Sequence, residues 1–358
     1  MISLYKPFMP PELPELNNIL YSGYLTYGKY GKNFEERLSE YFNEKYVLVT
    51  NSYNLAIFIV LSTLDIKSGD EVIASPMACL ASTQPIATYG AKIVWADIDP
   101  KRGTLSPESV KKKITSKTKA IIHNHFCGYV GYIDEINNIG KKAGIPVIND
   151  GIEGFGSIYK SKKIGNCGTD ISVFSLNAVR IPNTIEGGVI IFKDKELYNK
   201  ALLKRDNGIN RSNFRDDLGE INTSCDISIL GYSATMSEIN SYIGLMQMNY
   251  VDELIKKQRN NAKVWSKVLS GIDMVTPIDI HDSIPNYWVY GVLTSNKKNT
   301  IEFFRSKGFY ASGVHINNNI YSVFKSNEFL PGVYEFNNSF VALPSGWWVN
   351  GEKDIVIF

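Results

Sequence analysis

The stretch VFSLNAVRIPNTIEGG, Val173–Gly188, decides how this 358-residue chain is read. An apolar run ending at Ser175 gives way to a polar turn that carries Arg180, and the turn closes on Gly187 and Gly188. Upstream of it, β-rich runs of four to six residues alternate with helical patterns. YVLVT, DEVIAS, KIVWADID, KAIIHNHF and PVIND read as strands. NSYNLAIFIVLSTLDI, CLASTQPIATYG, SPESVKKKI and IDEINNIGKKAG read as the intervening helices, SPESVKKKI opening with a serine cap and an early glutamate. This β-α-β-α order predicts an α/β fold with a mainly parallel central sheet flanked by helices.

Downstream of Gly188 the character changes. GGVIIFKDKELYNKALLKRDNG predicts a strand, a turn and a helix, and the polar segment from Asn207 to Ser228 predicts a long loop of the kind that is functional or mobile in compact enzymes. One long helical segment is expected over SEINSYIGLMQMNYVDELIKKQRNNAKVWSKVL, and the remainder reads as a smaller C-terminal α+β domain. The expected division is 1–245 for the large domain and 246–358 for the small one.

Composition narrows the function. A net charge of +2 provides no basic field for nucleic acid, and no apolar run reaches membrane-spanning length. Cys79, Cys127, Cys167 and Cys225 lie far apart without paired spacing, so neither a metal site nor a disulfide framework is expected. The N-terminus lacks the pattern of a secretory signal, and the expected compartment is the cytoplasm.

In an open parallel sheet, ligands bind beyond the carboxyl ends of the strands. There lie Asn51 to Asn54, with Ser52 and Tyr53, Pro76 to Cys79, His125, Asp150 to Glu153, and Ser175 to Arg180. Each has a plainer reading. Asp150 and Ser52 suit turn or helix caps, and a histidine at a strand end, such as His125, is more often structural than catalytic.

Taken together, the blocks SGYLTYGKYGKNFEERLSEYF, GDEVIASPMACLASTQPI, AGIPVINDGIEGFGSIYKSKKIGNCGT, FSLNAVRIPNTIEGG, LGYSATMSEINSYIGLMQM and LPSGWW resemble the DegT/DnrJ/EryC1/StrS family, pyridoxal-phosphate-dependent sugar aminotransferases of fold type I. The resemblance runs nearly end to end. It implies a nucleotide-linked sugar as substrate, and a homodimer whose active sites are shared between subunits, with the loop Asn207 to Ser228 and Ser233 at the join. It places Asp150 on the pyridine nitrogen of the cofactor, Ser52, Tyr53, Ser175 and Ser233 at its phosphate, Cys79 over its ring and His315 on the substrate side.

Several of these positions depart from the family pattern. Glu153 stands where a glutamine is usual, Tyr53 where a small hydroxyl residue is usual, and Ser233 where an asparagine is usual. An ungapped match puts Arg180 on the Schiff-base lysine. A guanidinium with a pKa above about 12 neither forms an imine nor shuttles a proton, and Lys160, Lys162 and Lys163 offer no substitute. A single engineered lysine-to-arginine exchange would leave the other departures unexplained.

Three readings follow: a sugar dehydratase or aminotransferase using the amine form of the cofactor, a cofactor-independent relative using Asp150, Glu153 or His125 as acid or base, and a non-catalytic sugar-nucleotide-binding partner. The favoured expectation is a divergent homologue in sugar or surface-polysaccharide biosynthesis whose ordinary transamination is lost, with Arg180 and Glu153 forming an ion pair in the vacated space.

Overall fold

The computed structural model describes residues 1–324 and 326–357. Its centre is a seven-stranded sheet made of β1 (Tyr46–Thr50), β2 (Glu71–Ala74), β3 (Lys92–Trp95), β4 (Thr118–Asn124), β5 (Val147–Asp150), β6 (Ile171–Ser175) and β7 (Gly188–Phe192). The spatial order is β1-β7-β6-β5-β4-β2-β3. Strands β6, β5, β4, β2 and β3 pair in parallel, whereas β7 runs antiparallel to both β1 and β6. The Val173–Gly188 stretch thus folds as the end of β6, a wide turn, and the start of β7, with Ser175 directly opposite Gly188.

Strand alternation sorts the side chains onto two faces. Ile122, Ile148, Val173 and Ile190 pack with the helix Tyr53–Thr63, which is apolar nearly all round and therefore buried. On the opposite face Ile121 and Val147 pack with Val110 and Ile136, while Phe174 and Ile191 pack with Phe34 and Leu38. Asp150 and Ser175, each two residues beyond a member of the first set, share the face of Tyr53. Asn149 and His123, two beyond Val147 and Ile121, take the other.

A three-stranded antiparallel sheet, Thr276–Pro277, Tyr290–Leu293 and Phe340–Leu343, forms a second layer around Trp265, Phe304 and Phe309. The single long helix expected near residue 250 is two helices, Glu238–Gln247 and Val251–Val268, separated by a turn. The expected division at 245/246 falls inside the first of them. Near the N-terminus, helix is confined to Leu16–Leu20, since Pro10, Pro11 and Pro14 precede it. Residues Asn207 to Ser228 contain no helix or ladder beyond isolated bridges, in keeping with the expected loop. No helix of the described residues is long and apolar enough to cross a membrane. Trp347 and Trp348 donate to the carbonyls of Lys6 and Ser3, a packing role that ties the chain's start to the second layer.

Candidate active site

The carboxyl ends of β5 and β6 bring together two buried carboxylates with opposite fates. Asp150 ends β5 and is fully buried. Its Oδ1 accepts the Tyr53 hydroxyl at 2.6 Å and the Ile152 N–H at 3.0 Å. Burial pushes its carboxyl up from the ordinary value, against the hydrogen bonds of Ser82, Tyr53 and Ile152. The same burial, with the adjoining carboxylate, drives the Tyr53 phenol well up, so the hydroxyl stays protonated and donates. The expectation that Tyr53 contacts a phosphate is corrected here: its ring is buried and its hydroxyl is spent on Asp150.

Glu153 lies one turn further on. Its Oε1 meets His315 Nε2 at 2.8 Å and Arg180 Nη2 at 3.5 Å, and its Oε2 accepts the Cys127 N–H at 2.7 Å. Burial alone would raise this carboxyl, but His315, Arg180 and the Cys127 amide together hold it down at about 2, so it is an anion at neutral pH. The amide is available because Cys127 takes φ 53 in the short turn Phe126–Gly128. Gly128 follows at φ 84, where an added Cβ would lie 2.2 Å from Asn286 Oδ1. Asn286 in turn donates to the carbonyls of Glu153 and Phe155, which pins the loop to the second layer.

Arg180 is buried with its guanidinium 4.5 Å from the centroid of Trp288, whose indole N–H donates to the Val179 carbonyl. The Arg180–Glu153 ion pair expected from sequence is therefore present, and Trp288 supports it from behind.

The remaining candidates are engaged locally. Ser52 caps the helix Tyr53–Thr63 through Leu55 N–H, and Ser175 Oγ accepts Asn177 N–H at 3.2 Å. Ser233 is exposed, and its carbonyl accepts Asn51 Nδ2 at 3.1 Å. Cys79 begins the helix Leu80–Thr88, and burial raises its thiol pKa, which disfavours a thiolate.

His125 does not belong to this group. It follows His123 onto the opposite face of the sheet, the two rings lying 4.9 Å apart, and its Nδ1 accepts Gly131 N–H at 3.3 Å. Burial drives its pKa down to about 4, so it is a neutral core histidine, and the expectation that it acts as acid or base is corrected.

Several residues that sequence reasoning passed over complete the site. A cavity of about 460 Å³ opens beside it, lined by Cys79, Lys297, Ser312, His315, Asn318 and Tyr321. Asn318 anchors the His315 loop by donating to the Ala78 carbonyl at 3.0 Å and Thr83 Oγ1 at 2.8 Å. Lys297 opens the helix Lys297–Ser306, the end where a cation opposes the helix dipole. That placement was the one signal that marked it. Trp288 and the Cys127 amide carried none, because their roles depend on contacts between segments far apart in sequence.

The geometry also tests the cofactor that the resemblance implies. The aspartate that the resemblance places on the pyridine nitrogen holds the Tyr53 phenol on Oδ1, and Ser52 and Ser175 each accept a local backbone N–H. Asp150 Oδ2 is buried without a partner, as a pyridine nitrogen would require, whereas the guanidinium of Arg180, paired with Glu153, offers no amine for an imine.

Fold and site layout together define an aminotransferase-type scaffold. CalS13, a sugar aminotransferase from Micromonospora echinospora, matches with a TM-score of 0.92, covering 99% of this chain and 97% of its own at 27% identity. PseC of Helicobacter pylori, an aminotransferase involved in the biosynthesis of pseudoaminic acid, matches with a TM-score of 0.88, covering 99% of this chain and 96% of its own at 25% identity. The model of the DegT/DnrJ/EryC1/StrS aminotransferase family matches residues 10–351, and the chain belongs to that family. GDP-perosamine synthase of Escherichia coli O157:H7 is 30% identical over 297 residues, 82% of this chain and 78% of that protein. The enzyme of the same name from Vibrio cholerae is 28% identical over 296 residues, 82% and 77% of the two chains.

Proposed function

We propose that this family member binds a nucleotide-linked sugar without a pyridoxal cofactor and does not transaminate through an internal aldimine. One observation carries the reading: the Tyr53 hydroxyl on Asp150, together with the Arg180–Glu153 pair, occupies what the family resemblance assigns to the cofactor. The amine-form reading needs the same aspartate, of which only Oδ2 is without a partner. The sugar class comes from the relatives, two of which are GDP-perosamine synthases. The open cavity at Cys79, Lys297 and His315 is the place for it. In this reading the protein serves sugar or surface-polysaccharide biosynthesis in the cytoplasm as a homodimer, with Ser233 and the loop from Asn207 to Ser228 at the subunit join.

Calorimetric titration of the cofactor-free protein with a panel of nucleoside-diphosphate sugars tests it. Saturable binding is expected for at least one guanosine-linked sugar. Absence of binding across the panel would sink the reading. A rise in thermal stability with pyridoxamine phosphate would favour the amine form instead, because a ligand selective for the native state must stabilise it.

A further inference from the structure

We propose that His315 is a general base, oriented by Glu153, that removes a proton from the carbon beside the carbonyl of a bound nucleotide-linked keto sugar. The inference rests on the sugar-binding reading above and adds a reaction to it.

His315 stands apart from the other histidines among the described residues. His123 and His125 are enclosed on the far face of the sheet, and His281 is exposed, facing only Asp282 at 3.7 Å. His315 lines the open cavity and touches a carboxylate, Glu153, that is itself buried and fixed by the Cys127 amide and Arg180. An anion can only accept, so the His315–Glu153 contact holds the imidazole proton on Nε2 and leaves the lone pair on Nδ1. A base positioned by a third group is the arrangement that proton abstraction needs.

The chemistry of the scaffold supplies the substrate. Adding an amino group to a sugar requires a carbonyl carbon, so a sugar accepted by an aminotransferase scaffold carries a ketone, and hydrogens next to a ketone are acidic. In the proposed step the C–H bond breaks and its proton moves to His315 Nδ1. The electron pair forms a carbon–carbon double bond, and the carbonyl oxygen becomes an enolate. Lys297, on the same cavity wall with its Nζ donating to the Asn337 carbonyl at 2.5 Å, supplies the positive charge for that oxygen through its remaining N–H groups. Return of a proton from Nδ1 to the same face regenerates the ketone, so the step exchanges the hydrogen and consumes no oxidant or co-reactant. Glu153 is a positioning residue, paired with the imidazolium while it lasts.

The test uses the cofactor-free protein, GDP-linked 3-keto and 4-keto hexoses, and deuterium oxide as solvent. Proton NMR follows loss of the hydrogens adjacent to the ketone, and calorimetry follows binding in parallel. At least one keto sugar should exchange about 100-fold faster than without protein, the lower range for general-base catalysis. His315→Gln should abolish that gain while affinity changes only a few-fold. Glu153→Gln should slow exchange and shift the His315 ring-nitrogen signals away from the Nε2–H tautomer in nitrogen-15 spectra. Binding of a keto sugar with exchange at the protein-free rate would overturn this proposal and leave the sugar-binding reading standing. No binding by any sugar, keto or otherwise, would overturn both. If a variant fails to fold, the tautomer of His315 in the unaltered protein still decides: a proton on Nδ1 contradicts the proposed base.

Discussion

On the sheet side of the cleft, Tyr53, Arg180 and His315 partner the two buried carboxylates, leaving Asp150 Oδ2 as the buried carboxylate oxygen without a partner. Asp150 Oδ1 takes Tyr53, and Glu153 takes Arg180 and His315. On the side of the second layer, about 460 Å³ stays open between Cys79, Lys297 and His315. Both sides rest on the same strand ends and helix starts, so the difference lies in a handful of side chains and not in the backbone. In the reading proposed above, the scaffold keeps its substrate side while its own side chains fill the cofactor side. Polar interiors of that kind are costly unless every charge is paired, which is the condition that Arg180 meets for Glu153.

The sharpest way to break this contrast is to reopen the filled side. The combined variant Tyr53→Thr, Glu153→Gln and Arg180→Lys should gain pyridoxal phosphate binding, seen as a near-visible absorption band that the unaltered protein lacks. If the triple variant folds and stays colourless, Tyr53, Glu153 and Arg180 are not what excludes the cofactor.

Arg180→Ala removes one partner of a buried charge pair, a change that costs about 3–5 kcal/mol. The lower end is expected, because His315 and the Cys127 amide still hold Glu153. Urea denaturation gives the number, and a loss below about 1 kcal/mol would show that the pair is not structural. Tyr53→Phe leaves Asp150 without its hydroxyl donor and should cost about 1–3 kcal/mol by the same measurement.

The smallest expected effect is in pH dependence. His125 has its pKa lowered from 6.5 to about 4 by burial, and burial likewise holds His123 well below the ordinary value. Between those values the unfolded chain binds more protons, so stability is fully present above pH 6.5 and declines as the pH falls towards 4. Glu153, lowered from 4.5 to about 2, adds a second decline below pH 4.5. Asp150 acts in the opposite sense, because its raised pKa lets the folded state take up a proton first. Glu153→Gln should remove the lower decline and leave the upper one, read from unfolding midpoints between pH 7 and pH 3.

Much of this was legible in the sequence, and the limits are physical. Strand and helix order followed from apolar spacing, because period and burial are local properties. The split at Met248–Tyr250 escaped notice, since a non-helical turn of ordinary residues leaves the apolar pattern uninterrupted. The Arg180–Glu153 pair followed from the opposite charges of two residues that the resemblance sets side by side. His125 misled because a strand-end position does not reveal which face its ring takes. Its neighbour His123 two residues earlier carried the hint, as both lie on the covered face. The pairing of His315 with Glu153 and the stacking of Trp288 on Arg180 join segments more than 100 residues apart, where no spacing rule applies.

The central claim is that the chain's own side chains occupy the cofactor half of the cleft. Titrating the purified protein with pyridoxal phosphate, recording the near-visible spectrum, and then reducing with borohydride before peptide mass mapping tests it most directly. The account predicts no saturable band and no lysine adduct in the cleft. A stoichiometric band that borohydride converts into a pyridoxyl adduct on one lysine, Lys297 included, would contradict it.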